Sequence, residues 1–264
     1  MPIHPTAVVD SVAVIDPSAS IGPHAVVSGR VVIGPDCELM PAAVVLGHTT
    51  LAAGCLVHSF AVVGDAPQDC KYRGEVAYTR IGEATAIREG ATVHRGTAPG
   101  SSTVVGERCL LMTNSHVGHD CHLADGVILV SGALLGGHVQ VGANAIISGN
   151  AAVHQHVRIG ELALVGILAR ITQDVPPFCI TDQDGTVVAE NRVGMKRAGL
   201  TLDERHELKA AFAAIYRKGI GRNEAVRYLQ SVVKTEAGRR LLSFYAQDSA
   251  RSSRVRLFDP QQAA

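Results

Sequence analysis

The stretch VGERCL-LMTNSH-VGHDCH-LADGVI-LVSGAL-LGGHVQ-VGANAI-ISGNAA-VHQHVR-IGELAL-VGILAR-I, residues 105–171, repeats a pattern every six residues. The first position of each hexad is Val, Ile or Leu, and the fifth is mostly Ala, Cys or Ser. An amphipathic α-helix needs apolar residues near every 3.6 positions and a half-buried strand needs them at every second position, so neither fits. A six-residue period instead predicts a parallel β-helix, whose large residues fill a narrow interior and whose small residues fit its corners.

The same period extends outward from this stretch towards the N-terminus. Large aliphatic residues recur every six positions from Ile3 to Val63 and again from Ile81 to Val93. The period breaks at 65–79 and at 98–103, and the Pro, Gly and charged residues there predict loops that leave the coils. Hexapeptide repeats of this kind resemble the left-handed β-helix family, which has three hexads per coil, so residues 18 apart should lie on successive coils.

The composition suits a thin aliphatic interior. Hydrophobic residues make up 47% of the 264 residues, aromatic residues make up 4%, and tryptophan is absent. Four of the six cysteines occupy the small corner position and the other two have no CxxC or metal-binding spacing, so we expect reduced thiols. The absence of an N-terminal signal segment and of any apolar run of ~18 residues predicts a cytoplasmic protein without an integral membrane segment.

The C-terminal part of the chain differs in pattern. The DVPP at 174–177 predicts the end of the coils, because proline donates no ladder hydrogen bond. Residues 178–200 look irregular, and from Thr201 three segments rich in helix formers follow. We therefore expect a β-helix domain at 1–190, with the two loops, and a basic α-helical domain at 191–264.

Charge is divided unevenly between these parts. Residues 1–191 hold 9 Lys and Arg against 17 Asp and Glu, whereas residues 192–264 hold 15 against 7, a net charge of +8. A basic tail of this kind should attract an acidic partner. Aromatic residues do not interleave with the basic ones, so a phosphorylated small molecule or an acidic carrier protein is favoured over nucleic acid.

The segment LLMTNSHVGHDCH, residues 110–122, is the candidate for chemistry. The spacing of 18 predicts two neighbouring outward columns: His119, Gly137 and Gln155 in one, and Asp120, His138 and His156 in the other. His119 is a candidate general base, because imidazole titrates near neutral pH, and Asp120 could fix its tautomer. The unobstructed N–H of Gly137 could donate to an oxyanion. Together these groups indicate acyl transfer from a thioester to a hydroxyl.

From the residues alone, two other interpretations of the HxxHD pattern stay open. The histidines could be solvated surface side chains. They could also bind zinc, although the step from His116 to His119 is short for a ligand pair in a β-helix and Asp120 would have no role. We expect neither a metal nor a cofactor.

Further motifs accompany this segment in a fixed order. They are QDCKY at 68–72, IREGATVHRGT at 87–97, GGHV at 136–139, AVHQ at 152–155, QDVPPF at 173–178 and GMKRAG at 194–199. Over essentially the whole chain, this set closely resembles the UDP-N-acetylglucosamine O-acyltransferases of lipid A biosynthesis. The resemblance implies a homotrimer with active sites between subunits, which transfers a 3-hydroxyacyl group from acyl carrier protein to the 3-hydroxyl of UDP-N-acetylglucosamine.

The resemblance also implies roles for individual residues. His119 would be the base, Asp120 its partner and Gly137 the oxyanion donor. Asp69 and Lys71 would meet the sugar and the reacting groups, with Gln68 nearby. The sugar and acyl pocket would be lined by His116, His138, His154 and Gln155. Asn191 and Arg197 would hold the uridine diphosphate. The acidic carrier protein would dock on the basic tail.

Two positions depart from the family pattern. Where two consecutive arginines are common, Arg197 is followed by Ala198, so one cation for phosphate or carrier is missing. Ile167 stands where members that use long acyl chains have glycine, and its branched side chain should shorten the acyl groove. A related N-acyltransferase acting on an amino sugar nucleotide is the alternative enzyme, and a bare β-helix scaffold is the non-enzymatic alternative.

Overall fold

The computed structural model describes residues 3–217, 219–249 and 251. Short strands and four α-helices are the regular elements of these residues, and turns connect most of the strands. In chain order the strands are β1 (Val8–Val9), β2 (Val14–Ile15), β3 (Ser20–Ile21), β4 (Val26–Ser28), β5 (Val32–Ile33), β6 (Glu38–Leu39), β7 (Val44–Leu46), β8 (His48–Leu51), β9 (Leu56–Val57), β10 (Val62–Asp65), β11 (Tyr78–Ile81), β12 (Ala86–Ile87), β13 (Thr92–His94), β14 (Ser102–Val105), β15 (Leu110–Leu111), β16 (His116–Val117), β17 (His122–Leu123), β18 (Ile128–Leu129), β19 (Leu134–Leu135), β20 (Gln140–Val141), β21 (Ile146–Ile147), β22 (Ala152–Val153), β23 (Arg158–Ile159), β24 (Leu164–Val165), β25 (Arg170–Ile171), β26 (Cys179–Thr181) and β27 (Val187–Glu190). The helices are α1 (Arg192–Arg197), α2 (Leu202–Phe212), which a π-helical turn over Ala213–Arg217 extends, α3 (Arg222–Val232) and α4 (Glu236–Ala246).

The strands form three sheets, which are the faces of a triangular prism. Sheet 1 contains every third strand from β1 to β25, sheet 2 every third strand from β2 to β23, and sheet 3 runs from β3 to β24 and ends with β26 and β27. The strands of the coils are parallel, and in the regular coils the register is 18 residues, as between Val117, Leu135 and Val153. The predicted all-β left-handed parallel β-helix, followed by an α-helical C-terminal region, is confirmed.

The hexad pattern explains this register. The first residue of each hexad points inward, and Leu111, Leu129 and Ile147 are fully buried. Most of the turns between two strands include one residue in the left-handed backbone region, with φ between 52° and 64° where that residue is not glycine. A strand and the turn after it together use six residues, so each hexad of the sequence forms one face of a coil.

Three edges separate the faces, and two of them matter for function. The edge from sheet 1 to sheet 2, here called the loop edge, contains the turns 118–121, 136–139 and 154–157 and both interruptions of the repeat. The edge from sheet 3 to sheet 1, here called the 3–1 edge, contains the turns 112–115, 130–133, 148–151 and 166–169.

Both interruptions of the repeat have different bounds from those that the sequence predicted: the first is shorter than 65–79, and the second begins and ends earlier than 98–103. Tyr78 and Thr79 belong to β11, and Ser102 and Thr103 belong to β14, where these residues pair side by side. Asp65 similarly ends β10. The loops outside the coils are therefore 66–77 and 95–101, because backbone groups that can join a ladder satisfy their hydrogen bonds there.

The prediction that DVPP ends the coils was wrong. After the prolines, β26 adds a further parallel strand to sheet 3 beside β24, and Val175 forms a parallel bridge with Ile159. Pro177 lies in the turn between them, against Gly160, where no ladder donor is required. Residues 178–200 are not irregular either, since β26 and β27 form an antiparallel pair and α1 follows.

The helices pack against the last coil. Arg240 of α4 reaches Glu161 at 2.5 Å, and Arg158 of β23 forms an ion pair of 2.9 Å with Asp174 while it lies over the Phe244 ring. The helices also share a hydrophobic core with coil residues, so the division at residue 190 stays a prediction. None of the described helices combines the length and apolar character needed to span a bilayer.

Candidate active site

The loop edge gathers the side chains that depart from the repeat. Its regular turns place Asp120, His138 and His156 at the left-handed position, with φ values of 57°, 60° and 63°. The loops 66–77 and 95–101 both leave sheet 1 and re-enter sheet 2 at this same edge. Polar side chains therefore accumulate along one line of the prism.

The histidine rings of this edge contact one another. The rings of His138 and His156 are stacked, with centroids 4.5 Å apart and planes 7° from parallel. The ring of His119 meets that of His138 edge-on, at 5.1 Å and 90°. The spacing of 18 thus predicted the neighbours correctly in this part of the chain.

His119 and Asp120 form a hydrogen-bonded pair. The distance from Nδ1 of His119 to Oδ2 of Asp120 is 2.9 Å, and the two side chains are 15% and 10% exposed. An ionised carboxylate only accepts hydrogen bonds, so the shared proton lies on Nδ1 and Nε2 keeps its lone pair. His119 is consequently oriented as a proton acceptor at Nε2.

The second loop holds the carboxylate of Asp120 in place. Thr97 donates to Oδ2 from its N–H at 3.1 Å and from Oγ1 at 2.7 Å, and the Asp120 N–H donates to Thr103 Oγ1 at 2.8 Å. Burial acts to raise the pKa of Asp120, but hydrogen bonds from His119, Ser101 and Thr97 outweigh it and lower the pKa. The carboxylate is therefore ionised at neutral pH.

Gly137 lies directly against the imidazole of His119. A Cβ atom at Gly137 would lie 2.4 Å from Cε1 and 2.5 Å from Nε2 of the ring, so no other residue fits there without moving the base. The neighbouring N–H groups of Gly136 and His138 donate to carbonyl oxygens of the adjacent coils. Within the described part of the chain, no group accepts a hydrogen bond from the Gly137 N–H, which leaves this donor available.

The first loop reaches the same edge. Burial lowers the pKa of His138, and the negative charges of Asp120 and Asp69 oppose that shift, which places Asp69 near the histidine column. Within the loop, Asp69 Oδ1 accepts a hydrogen bond from the Lys71 N–H at 2.8 Å. Gln68 and Lys71 are exposed, and their side chains are accessible to a substrate.

His116 is placed so that it stays neutral. Its Nδ1 lies 2.7 Å from Thr92 Oγ1, and the ring of His94 meets it edge-on at 4.9 Å. Burial, together with the charges that His94 and His119 can carry, lowers the pKa of His116 to about 4. A neutral imidazole at neutral pH can donate or accept a hydrogen bond without adding charge to the site.

His94 is a site neighbour that the sequence did not predict. It is 7% exposed and belongs to β13, which pairs with the strand of His116. Val93 pairs with Val117, a step of 24 residues, so counting in steps of 18 could not bring His94 beside His116. The available signal was the histidine within IREGATVHRGT, just before the second loop.

A cleft of about 890 Å³ begins at this site. It runs from Asp120, His138 and His156 along sheet 2 to α4. His154 and Gln155 lie in the next turn of the loop edge, where both are exposed and His154 Nδ1 lies 3.2 Å from the Gln155 carbonyl oxygen. The predicted pocket residues of the loop edge therefore occupy adjacent coils.

The same cluster offers possible metal ligands. One ligand atom each from His119, Asp120 and His138 lie within 4.8 Å of one another. Tetrahedral zinc with ligands at ~2.1 Å separates them by about 3.4 Å, so this spacing is wider than a bound ion needs. Nδ1 of His119 is also engaged by Asp120, and a site without metal stays a prediction.

Comparison with known proteins identifies the family. Residues 174–254 match the model described as UDP N-acetylglucosamine O-acyltransferase, domain 2, and residues 102–137 match the bacterial transferase hexapeptide model of six repeats. The acyl-[acyl-carrier-protein]–UDP-N-acetylglucosamine O-acyltransferase of Anaeromyxobacter sp. strain K is 41% identical over 88% of this chain and 91% of that protein. This chain belongs to the UDP-N-acetylglucosamine O-acyltransferase family.

Solved structures agree with this assignment. UDP-N-acetylglucosamine acyltransferase of Francisella novicida has a TM-score of 0.92 and 34% identity, over 99% of this chain and 95% of that one. The O-acyltransferase of Moraxella catarrhalis has a TM-score of 0.91 and 34% identity, over 96% and 99%. The likeness therefore covers the prism, the loop edge and the helices together.

The residues that the O-acyltransferase resemblance assigned to the nucleotide lie elsewhere in the chain. Asn191 caps α1, where Oδ1 accepts from the Gly194 N–H at 2.9 Å and Nδ2 donates to the Leu162 carbonyl at 2.8 Å. It borders a second cleft of about 770 Å³ beside Leu164 and Ile180 of sheet 3. Sheet 3 is the face opposite the loop edge, so Asn191 and the His119 site do not meet within one chain.

Two further predicted residues are also distant from the loop edge. Arg197 ends α1 and lines a recess with Arg192, Lys196 and Arg205, which makes that surface cationic. Ile167 lies in the last turn of the 3–1 edge and is 59% exposed. The predicted site residues of this family member therefore fall into three separate groups on one chain.

Proposed function

We propose that this chain transfers a 3-hydroxyacyl group from acyl carrier protein to the 3-hydroxyl of UDP-N-acetylglucosamine, the first step of lipid A biosynthesis, in the cytoplasm. The observation that carries the proposal is the 2.9 Å pair of His119 Nδ1 and Asp120 Oδ2, with the Gly137 peptide against the ring. Acyl transfer to a hydroxyl requires a base, an orienting acceptor and an oxyanion donor. The family membership supplies the substrates.

The chemistry follows from these three groups. Nε2 of His119 takes the proton of the sugar 3-hydroxyl while its oxygen attacks the thioester carbonyl, so a C–O bond forms and the carbonyl oxygen becomes an oxyanion. The Gly137 N–H donates to this oxyanion, an interaction often worth ~3 kcal/mol. The C–S bond then breaks, and the imidazolium returns its proton to the leaving thiolate. Asp120 remains ionised because its hydrogen bonds lower its pKa.

The remaining groups of the loop edge would hold the sugar. Asp69 and Lys71, with Gln68 beside them, would meet the sugar hydroxyls and the reacting groups from the first loop. His116, His138, His154 and Gln155 would line the pocket below the base. The low pKa of His116 suits this role, because a neutral imidazole binds hydroxyls without disturbing the charge at His119.

The nucleotide contacts would come from another copy of the chain. Asn191 and Arg197 lie beside the face opposite the loop edge, so one chain cannot enclose both ends of the substrate. In a homotrimer, the loop edge of one subunit can face α1 of the next, and a closed threefold ring repeats that contact three times. Lys196 and Arg205 beside Arg197 would supply cationic charge where Ala198 lacks it.

The acyl donor would be of medium length. Ile167 presents a branched, 59% exposed side chain at the 3–1 edge, in the position where a groove between subunits would end. A glycine there would leave room for additional methylene groups. We therefore expect the chain to prefer a shorter 3-hydroxyacyl group than relatives with glycine at this position.

The basic C-terminal part would receive the donor protein. Residues 192–264 hold 15 Lys and Arg against 7 Asp and Glu. Acyl carrier protein is acidic, and opposite charge accelerates encounter between proteins. Docking there would bring the thioester towards the cleft that α4 borders.

The test is product analysis by mass spectrometry. The purified full chain would be incubated with UDP-N-acetylglucosamine and a series of 3-hydroxyacyl carrier thioesters. We expect one ester on the 3-oxygen of the sugar and free carrier thiol in equal amount. No ester with any donor, or an amide formed only with an amino sugar nucleotide, would overturn the proposal, the latter in favour of the N-acyltransferase alternative.

A further inference from the structure

The loop 95–101 contacts the His119–Asp120 pair although the hexads do not require it. Oδ2 of Asp120 receives three hydrogen bonds: from His119 Nδ1 at 2.9 Å, from Thr97 Oγ1 at 2.7 Å and from the Thr97 N–H at 3.1 Å. The Thr97 N–H also lies 3.3 Å from Oδ1. Thr97 thus contacts both oxygens of the carboxylate that orients the base.

The fit between this loop and the carboxylate is close. A Cβ at Gly96 would lie 2.2 Å from Ser101 Oγ and 2.8 Å from Asp120 Oδ1. Only glycine therefore lets the loop close over Asp120 at this position. From the other side, the Asp120 N–H donates to the buried Thr103 at 2.8 Å, so the residue is held at its backbone and at its side chain.

We propose that Thr97 is a positioning residue for proton transfer, acting through Asp120 to hold His119 with Nδ1 directed at the carboxylate and Nε2 directed at the substrate. The kinetic part of this proposal rests on the proposed function. In this role Thr97 acts through Asp120 and not by contact with the sugar or the thioester.

The physical reason lies in the number of donors on one oxygen. A carboxylate that accepted only from His119 could rotate about its terminal torsion, and the base would lose its orientation. It would also stabilise the imidazolium more strongly through Nδ1, which would hinder the return of the Nε2 proton to the thiolate. The Thr97 hydroxyl prevents both effects. Its hydrogen bond fixes the carboxylate torsion, and it reduces the negative charge that Asp120 presents to His119.

The kinetic test compares Thr97→Val, which removes only the hydroxyl, with Thr97→Ser, which keeps it. We expect Thr97→Val to lower kcat about tenfold with an unchanged KM for the sugar nucleotide, and the acid limb of kcat/KM to move to higher pH. Thr97→Ser should stay within about threefold of the parent chain. A fall in Thr97→Ser equal to that in Thr97→Val, or a rise in KM with unchanged kcat, would overturn the proposal.

Two controls separate positioning from general damage. Thr79→Val also deletes a buried hydroxyl in the same prism, one that has no hydrogen-bond partner among the described residues, and should leave activity unchanged. In a His119→Ala background, Thr97→Val should cost nothing further, because residues that act through one another are not additive. A full additional tenfold loss in that background would overturn the proposal.

A measurement without substrate keeps this inference separate from the proposed function. The chain carrying ¹³C- and ¹⁵N-labelled histidine would be observed by NMR, with the His119 signal assigned by its absence in His119→Gln. We expect the Nδ1–H tautomer in the parent chain and in Thr97→Ser, and a mixture of tautomers in Thr97→Val. An unchanged tautomer in Thr97→Val would overturn the inference even if the chain proves to be an O-acyltransferase.

Discussion

The loop edge and the 3–1 edge are built from the same turn but carry different residues. In three of these turns of the 3–1 edge the left-handed position is filled by Asn114, Gly132 and Asn150, types that adopt this conformation at small cost, and in the turn 166–169 it is filled by Leu168. At the loop edge the same position holds Asp120 and His138, with φ values in the same range. The backbone therefore does not require these residues, and their chemistry is the better explanation of their presence.

The two edges also differ in how they tolerate extra chain. The coil from Val63 to Val93 takes 30 residues and the coil from Val93 to Val117 takes 24, instead of 18. Both additions emerge at the loop edge and the inward residues then resume in register. The interior thus fixes the positions of the histidines, while the two loops are free to fold over them.

The largest expected difference between the edges is in catalysis. His119→Ala should lower kcat/KM by 10²–10⁴-fold, the usual range for a positioned base. Thr113→Ala, at the same turn position of the 3–1 edge, should change it by less than about twofold. Thiol release from acyl carrier protein measures both. Equal losses in the two variants would remove the distinction between the edges.

The next contrast uses the two glycines at that turn position. Gly137→Ala forces a methyl group into His119 and should lower activity by about a hundredfold. Gly149→Ala on the 3–1 edge places its Cβ 3.5 Å from the nearest atom, an ordinary contact, and should cost less than about threefold. If Gly137→Ala is as active as Gly149→Ala, the His119 imidazole does not lie against Gly137 in the active protein.

A smaller effect is expected at the end of the 3–1 edge. Ile167→Gly should shift donor preference towards longer acyl chains by about tenfold in relative kcat/KM, because a glycine removes the side chain that we propose ends the acyl groove. Relative rates over a series of 3-hydroxyacyl carrier thioesters measure it. An unchanged preference would contradict the assignment of Ile167, while leaving the catalytic role of the loop edge intact.

The smallest expected effect is on acid stability. Because the pKa of His116 is about 4 in the fold and ~6.5 in an unfolded chain, the unfolded state binds more protons between those values. The free energy of unfolding therefore falls as pH decreases from about 6.5 to 4. His116→Gln should reduce the difference in Tm between pH 7 and pH 5, and the exposed His206→Gln should not. An unchanged difference in His116→Gln would contradict the buried, neutral state of this side chain.

Much of this arrangement could be predicted because a residue's place in the six-residue repeat determines its coil and its face in the prism. From Val105 onward the hexads are uninterrupted, so the neighbours of Asp120 and the position of Gly137 followed from steps of 18. The helices α2 to α4 followed from composition, and in the structure Thr201 forms a capping box with Glu204 at the start of α2. Local rules suffice where the pattern is regular.

The other features of the candidate site depend on contacts that the six-residue repeat does not predict. His94 lies in a lengthened coil, and the contacts of Thr97 with Asp120 depend on the folded path of a loop. The prolines at 176–177 were misleading because they occupy a turn, where the missing N–H has no consequence. The separation of Asn191 from His119 depends on which face α1 covers, and no periodicity encodes that.

The proposed homotrimer requires that the loop edge of one chain completes its site with α1 of another. The most direct test mixes His119→Ala and Arg197→Ala chains, each strongly impaired alone, after dissociation and random reassembly into trimers. In a 1:1 mixture about a quarter of the sites would combine an intact His119 with an intact Arg197 from the neighbour, so activity should rise to about a quarter of that of the parent chain. Activity no higher than the mean of the two variants would contradict the claim.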